Sequence, residues 1–333
     1  MLCLVPALCL FFVSEDERVI NLTEPEVFGE VIVFQSPSGT LAVIEPENCQ
    51  LILFDAEGKK IGHFGSKGNG PGQFQTLYGL KWSEGESVFL IFDHSRRISK
   101  WDENGQHRGD IKVGSMAAFP NIVQGKLLYS IDSYAGKAGK IPTIWRMDLT
   151  EQQRENVFAY ENLDKIKVKK TGQVLVAVTM PWDPIARFDV DTKTIVSNWS
   201  REKRIIIIDP DTKKTTFFSH QTKAIPLTED QVSAEFEKIP KEMRDYVRKG
   251  VVIPEYWPYV AGLFLAENQF LWVVSPPILG NQSVAVYQHD GSFVSKFPVD
   301  FAPKYVVGNT IAGFRITAGD NLMLIRKKIV LIR

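Results

Sequence analysis

The stretch HFGSKGNGPGQFQ (63–75) gathers Gly65, Gly68, Gly70 and Gly72 around Pro71 and Lys67, a composition able to lay backbone N–H groups against a phosphate. A phosphate loop needs G-x-x-x-x-G-K-[ST] between a strand and a helix, so that the helix N-terminus faces the anion. Here Lys67 precedes Gly68 and no Ser or Thr follows it. The dinucleotide pattern G-x-G-x-x-G fails as well, because Gly68, Gly70 and Gly72 alternate, and the following QFQTLYGLKW has strand character. The loop therefore reads as a crossing between two pieces of sheet, turned by glycine and proline and anchored by Phe74.

Oxygen donors that would suit a hard cation such as calcium are Asn121, Asp132, Asp183 and Asn309, yet they share no motif and read rather as turn residues and strand caps. The five histidines (His63, His94, His107, His220, His289) fall mostly in hairpin turns or outer strands, where solvation is expected, and no nucleophile–His–acid set is visible. Cys3, Cys9 and Cys49 lack metal-ligand spacing, and Cys49 reads as a small buried residue. Aromatic rings beside a charge remain. TMPWDPIARF offers Trp182, Asp183 and Arg187; IPEYWPYV offers Tyr256, Trp257 and Tyr259; Tyr134 lies in SYAGKAGK with Lys137 and Lys140. Such groups hold peptides, sugars or ring compounds. The competing reading is that Trp257 and Tyr259 pack an insertion onto the main body.

The elements that must position these residues are short. EVIVFQ, TLAVIE, QLILFD, SVFLIFD, KLLYSID, QVLVAVT, SVAVYQ and NLMLIR are period-two or apolar runs separated by turns such as AEG, ENG and HDG, as expected for an all-β chain. One hairpin recurs: LILFDAEGKKIGHFG (51–65) and RISKWDENGQHRGDI (97–111), with weaker copies at 143–160, 185–199 and 284–298. Phe54, Trp101, Met147 and Phe188 follow one another at 47, 46 and 41 residues. Periods of this size in an all-β chain predict propeller blades. Five blades are placed near 28–65, 76–112, 118–160, 163–199 and 259–298, and a sixth near 305–333 that is one strand short. RVINL (18–22) is predicted to supply that strand and close the ring, since an open ring would leave two long sheet edges bare.

Residues 200–258 break the period and are read as an insertion between blades four and five, with the main helical stretch at 227–250. Thr228 and Gln231 have capping-box spacing; Val232, Phe236, Met243 and Val247 share one face; Pro240 should split the helix; and Gly250 should end it. Residues 1–16 open apolar and then turn acidic. They read as a secretory signal segment that lacks a basic start, which leaves 17–333 as one propeller domain; the alternative is an ordinary apolar N-terminal strand or a cytoplasmic start. Lys+Arg and Asp+Glu both number 39 among 333 residues, so no broad field for nucleic acid or anionic membrane is expected.

FGSKGNGPGQF and HSRRISKWDENG, with Ser95, Arg96, Arg97 and Ile98 in the turn, resemble the signature of NHL-repeat propellers. Residues 239–273 resemble the matching part of bacterial six-bladed NHL-like proteins, many of them exported or lipid-anchored and mostly without an assigned reaction. The resemblance implies a six-bladed β-propeller. It does not carry over the calcium ligands of the lactonase propellers or the His and Met ligands of the NHL lyases, because no matching motif is present. The expectation is a monomeric, non-catalytic, exported binding or scaffold protein without a resident cofactor. Its partner would be a protein, peptide or carbohydrate on one face of the ring, and a membrane would be met only through an N-terminal anchor. The alternative is a calcium-type hydrolase, lactonase or lyase with its site at the central channel.

Overall fold

The computed structural model describes residues 11–21, 32–46, 48–113, 118–123, 125–131, 143–151, 153–159, 186–190, 194–200, 202–251, 253–266, 270–276, 282–316 and 322–331. They form six four-stranded antiparallel sheets, each ordered so that neighbours in sequence are neighbours in space. The first sheet runs Ile32–Gln35, Leu41–Glu45, Gln50–Phe54 and Lys60–Phe64. The second runs Leu77–Ser83, Val88–Asp93, Arg97–Trp101 and His107–Lys112. The third runs Ala118–Val123, Lys126–Ile131, Thr143–Asp148 and Arg154–Ala159.

The fourth sheet runs Ala186–Val190, Ile195–Trp199, Arg204–Ile208 and Thr215–Ser219, and the fifth Gly262–Leu265, Phe270–Val274, Gln282–Gln288 and Phe293–Val299. The sixth takes Ala302–Val307, Thr310–Ile316 and Leu322–Leu331 from the end of the chain and Phe11–Asn21 from its beginning.

The first strand of each sheet lies against the first strands of both neighbouring sheets, and the succession returns from the sixth to the first. That closed circle is a β-propeller. Apolar layers fill the gaps between blades. Ala42, Leu51, Leu53, Phe74, Phe89 and Trp101 join sheets one and two, while Val43, Phe54, Tyr305 and Leu324 join sheets six and one. Central strands with nearly every residue buried, such as Leu41–Glu45 and Val88–Asp93, carry continuous apolar runs because both faces of the blade are covered.

The ring closes with the N-terminal strand outermost, as the sequence predicts. Its pairing runs from Phe11 opposite Leu331 to Asn21 opposite Met323, longer than the RVINL segment.

The fourth blade lies further along the chain than the hairpin spacing suggests. IARFDVDTKTIVSNW forms the inner pair of strands of that sheet, and RIIIIDPDTKKTTFFS forms its outer pair. The 204–219 hairpin therefore belongs to the ring, not to the insertion, and the departure from the ring begins at His220. The capping chemistry explains the shift. In the outer hairpins of sheets one to four, Asp55, Asp102, Asp148 and Asp209 each accept two backbone N–H bonds within the turn, whereas Asp189 lies in an inner strand and pairs with Lys81 of sheet two. The strand run QVLVAVT lies outside the described residues.

Candidate functional site

Because every sheet runs inner to outer through antiparallel strands, the turns between second and third strands and the links between sheets share one face of the ring. The hairpins joining strands one–two and three–four share the other. Contacts agree with this division. On the crossing face, the thiol of Cys49 in one such turn reaches the Gln75 carbonyl of the 65–76 link at 3.2 Å. On the hairpin face, Ser38 hydrogen-bonds Glu103 of the next sheet.

The glycine-rich link is a built structure. Ser66–Lys67 and Gln73–Phe74 pair as two short parallel strands. The Gly70 N–H donates to Gln73 Oε1 at 2.9 Å, and the Gly68 N–H donates to the Phe74 carbonyl at 2.9 Å. Gly65 has φ +82°, and a Cβ there would overlap the Phe74 ring, so both conformation and space require glycine. Phe74 is fully buried 6.0 Å from the Trp101 ring, the anchoring expected of it. Arg97 completes the assembly by donating to the Gly70 carbonyl at 3.0 Å and to the Gln73 carbonyl. These N–H groups serve the loop itself.

Beside it, the buried Asp93 carboxylate accepts from the N–H groups of Gln75, Thr76 and Ser95 and from the Ser95 hydroxyl at 2.8 Å. Burial alone would raise this carboxyl. The Thr76 N–H, the Ser95 hydroxyl and the other donors outweigh it and hold it below the usual carboxylate range.

Between sheets four and five the chain carries α1 (Glu229–Glu237) and α2 (Lys241–Gly250). Thr228 and Gln231 form the reciprocal capping box, and Pro240 occupies the N-cap of α2, splitting the helices as the sequence predicts. Val232, Phe236, Ile239, Val247 and Trp257 make a small core of their own. Trp257 is 8% exposed, and its indole N–H donates to Gln231 Oε1 at 3.1 Å. This residue is thus packed within the insertion's own core. Tyr256, next in the chain, stays exposed and bridges to Pro226. Hydrogen bonding to the Glu255 carboxylate pushes its hydroxyl up. Ile253 is exposed as well.

Where the insertion leaves the ring, His220 is 2% exposed and lies 6.1 Å from the Tyr259 ring, over which the Lys203 ammonium sits. Its Nδ1 accepts from the Thr222 N–H at 3.3 Å. Burial, with the Lys203 charge adding to it, pushes the imidazole down to about 4. The expectation of solvated histidines fails here.

At the centre of the ring, Lys81 from the first strand of sheet two pairs with Asp189 from the first strand of sheet four, across the strand between them. Asp189 also accepts from the Leu265 N–H of sheet five at 2.9 Å. No local motif announces this clamp, because its members lie 108 residues apart.

Tyr134, Trp182, Asp183, Asp132, Lys137 and Lys140 lie outside the described residues. Arg187 is placed in the first strand of sheet four, and Asn121 in that of sheet three. Asn309 lies in the turn between Ala302–Val307 and Thr310–Ile316, where its carbonyl accepts from the Ile329 N–H at 2.8 Å. Among the described residues no three His, Cys, Asp or Glu side chains converge as a metal site, and no helix is long and apolar enough to cross a membrane.

No protein-family model and no curated protein matches the chain. Among solved structures, a DUF4221-family protein from Bacteroides vulgatus superposes with TM-score 0.59 at 12% identity, over 97% of this chain and 99% of that one. An exported-type protein from Bacteroides fragilis gives TM-score 0.57 at 11% identity, over 96% and 95%. A streptogramin B lyase gives 0.50 at 12%, over 97% and 88%. These are β-propeller proteins, and at such identities the likeness is one of fold.

Proposed function

We propose that the chain is an exported, six-bladed, NHL-like propeller that binds a protein, peptide or carbohydrate partner on its crossing face, without catalysing a reaction. The observation that carries this reading is the insertion at 220–261. It has its own apolar core, is rooted on the crossing face, and leaves Ile253 and Tyr256 exposed beyond its second helix. The helical pair packs an apolar face of its own and leaves Ile253 and Tyr256, 43% and 39% exposed, where a partner would meet them. Tyr256, with the Glu255 carboxylate beside it, suits a ring-stacking and hydrogen-bonding contact with a peptide or sugar. Export is supported by the likeness to the exported-type Bacteroides fragilis protein.

The test is a panel of peptides and glycans against the full chain. Tyr256→Ala should weaken the best binder about tenfold or more while leaving the melting temperature unchanged, as expected for an interface anchor of at least 1.4 kcal/mol. Binding that survives both Tyr256→Ala and Ile253→Asp overturns the reading. A thermal-shift series with calcium, zinc and EDTA addresses the hydrolase or lyase alternative, because a cation bound only by the folded ring raises its melting temperature.

A further inference from the structure

A propeller presents the outer strand of every blade to solvent as a row of unpaired N–H and C=O groups, and proteins protect such edges with charge or proline. Five of the six outer strands here do so. Lys60–Phe64 carries Lys60; His107–Lys112 carries Arg108, Asp110 and Lys112; Arg154–Ala159 carries Arg154 and Glu155. Phe293–Val299 carries Lys296 and Pro298, and Phe11–Asn21 carries the run EDER. The outer strand of sheet four, Thr215–Ser219 (TTFFS), carries neither charge nor proline. At its midpoint Phe217 is 72% exposed, the most exposed large apolar side chain among the described residues. No described strand pairs with its outer side.

We propose that this edge pairs with the same edge of a second copy of the chain, joining two fourth blades into one continuous antiparallel sheet. The hydrogen-bond phase of the strand specifies the register. On the inner side, the His220 N–H donates to the Lys203 carbonyl and the Asp209 N–H donates to the Lys214 carbonyl, both at 3.0 Å. With Arg204 opposite Ser219 and Ile208 opposite Thr215, residues 214, 216, 218 and 220 bond inward. Thr215, Phe217 and Ser219 therefore direct their N–H and C=O groups outward, since an antiparallel ladder alternates.

A two-fold axis at Phe217 sets Phe217 opposite itself and Thr215 opposite Ser219, each pair exchanging both backbone bonds. It also sets Lys214 opposite His220 and Lys213 opposite Gln221, so no like charges meet. Pairing would cover the two Phe217 rings side by side on one face of the joined sheet. This assembly replaces the monomer expected from the sequence. It uses the rim of the ring and leaves the crossing face open, so it stands or falls separately from the binding role.

The experiment is light-scattering mass measurement on the full chain over a concentration series. Wild type should shift from monomer to dimer with a Kd on the order of micromolar, as a small strand-only interface allows. Phe217→Lys should stay monomeric with an unchanged circular-dichroism melt, whereas Ile61→Lys, at an exposed site on another outer strand, should behave as wild type. The register is read by charge. Thr215→Glu with Ser219→Glu places like charges opposite one another and should dimerise about tenfold more weakly than Thr215→Lys with Ser219→Glu. A wild-type chain that stays monomeric throughout, or a dimer indifferent to Phe217→Lys, overturns the proposal. Equal dimerisation by the two charge pairs overturns the register.

Discussion

Arg97 and Asp93 show how single side chains hold the crossing face together. Arg97 sits at the start of the third strand of its sheet and collects the carbonyls that the glycine-rich link would otherwise leave bare. Asp93, at the end of the strand before it, collects the N–H groups on the link's far side. Neither residue is part of the glycine motif, yet both determine its shape. His220 shows the cost of burying a titratable group. Its folded pKa of about 4 lies below the free value of 6.5, so the folded chain binds fewer protons than the unfolded one between those values. That contribution is fully present above pH 6.5 and is lost as pH falls toward 4. Its size is on the order of 3 kcal/mol. Urea titrations at pH 7 and pH 4.5 should show a steeper loss of stability in wild type than in His220→Phe; equal losses would assign the acid sensitivity to other groups.

At the scale of elements, the insertion behaves as a satellite with its own core. Its helices are short, α1 with nine residues and α2 with ten, and helices of this length need tertiary packing to persist. Trp257 supplies much of that packing and a hydrogen bond back to the capping residue Gln231. Trp257→Ala should cost about 3–5 kcal/mol within the insertion. Far-UV circular dichroism at 222 nm should fall, while the strand signal and the main unfolding transition persist. A single transition that moves as a whole would show that insertion and ring are one cooperative unit. The capping box was legible from Thr228 and Gln231 alone, and the split at Pro240 likewise, because both are local rules of backbone hydrogen bonding. Whether Trp257 faces a ligand or a core was not local: it depends on where two helices and a strand-like segment meet.

For the whole molecule, closure is the decisive feature. The first strand of the chain pairs with the last through Phe11–Val13 and Glu17–Asn21, converting an open stack of sheets into a ring. Removing residues 1–21 should bare the Leu322–Leu331 edge and the sixth blade's core. We expect a lower melting temperature and concentration-dependent aggregation, measured by differential scanning fluorimetry and light scattering. An unchanged melt would mean that the ring holds without its clasp. The central Lys81–Asp189 pair ties sheets two and four past the first strand of sheet three, a second device that acts on the ring as a whole.

Alternating strands, Asp-led turns and a period in the forties determined by themselves that this protein is a propeller, because each blade is a local unit whose pattern is written in consecutive residues. The same locality made the capping box and the anchoring of Phe74 legible. The frame of the fourth blade was not, since IARFDV and IIIIDP are equally good hairpins by pattern, and only the pairing of four strands shows which one is outermost. Tertiary structure also decided that His220 is buried, that Lys81 meets Asp189 and that Phe217 stands on an unprotected edge. Each of these depends on which blades face one another across the ring or leave an edge to solvent, and that geometry joins residues far apart in the chain.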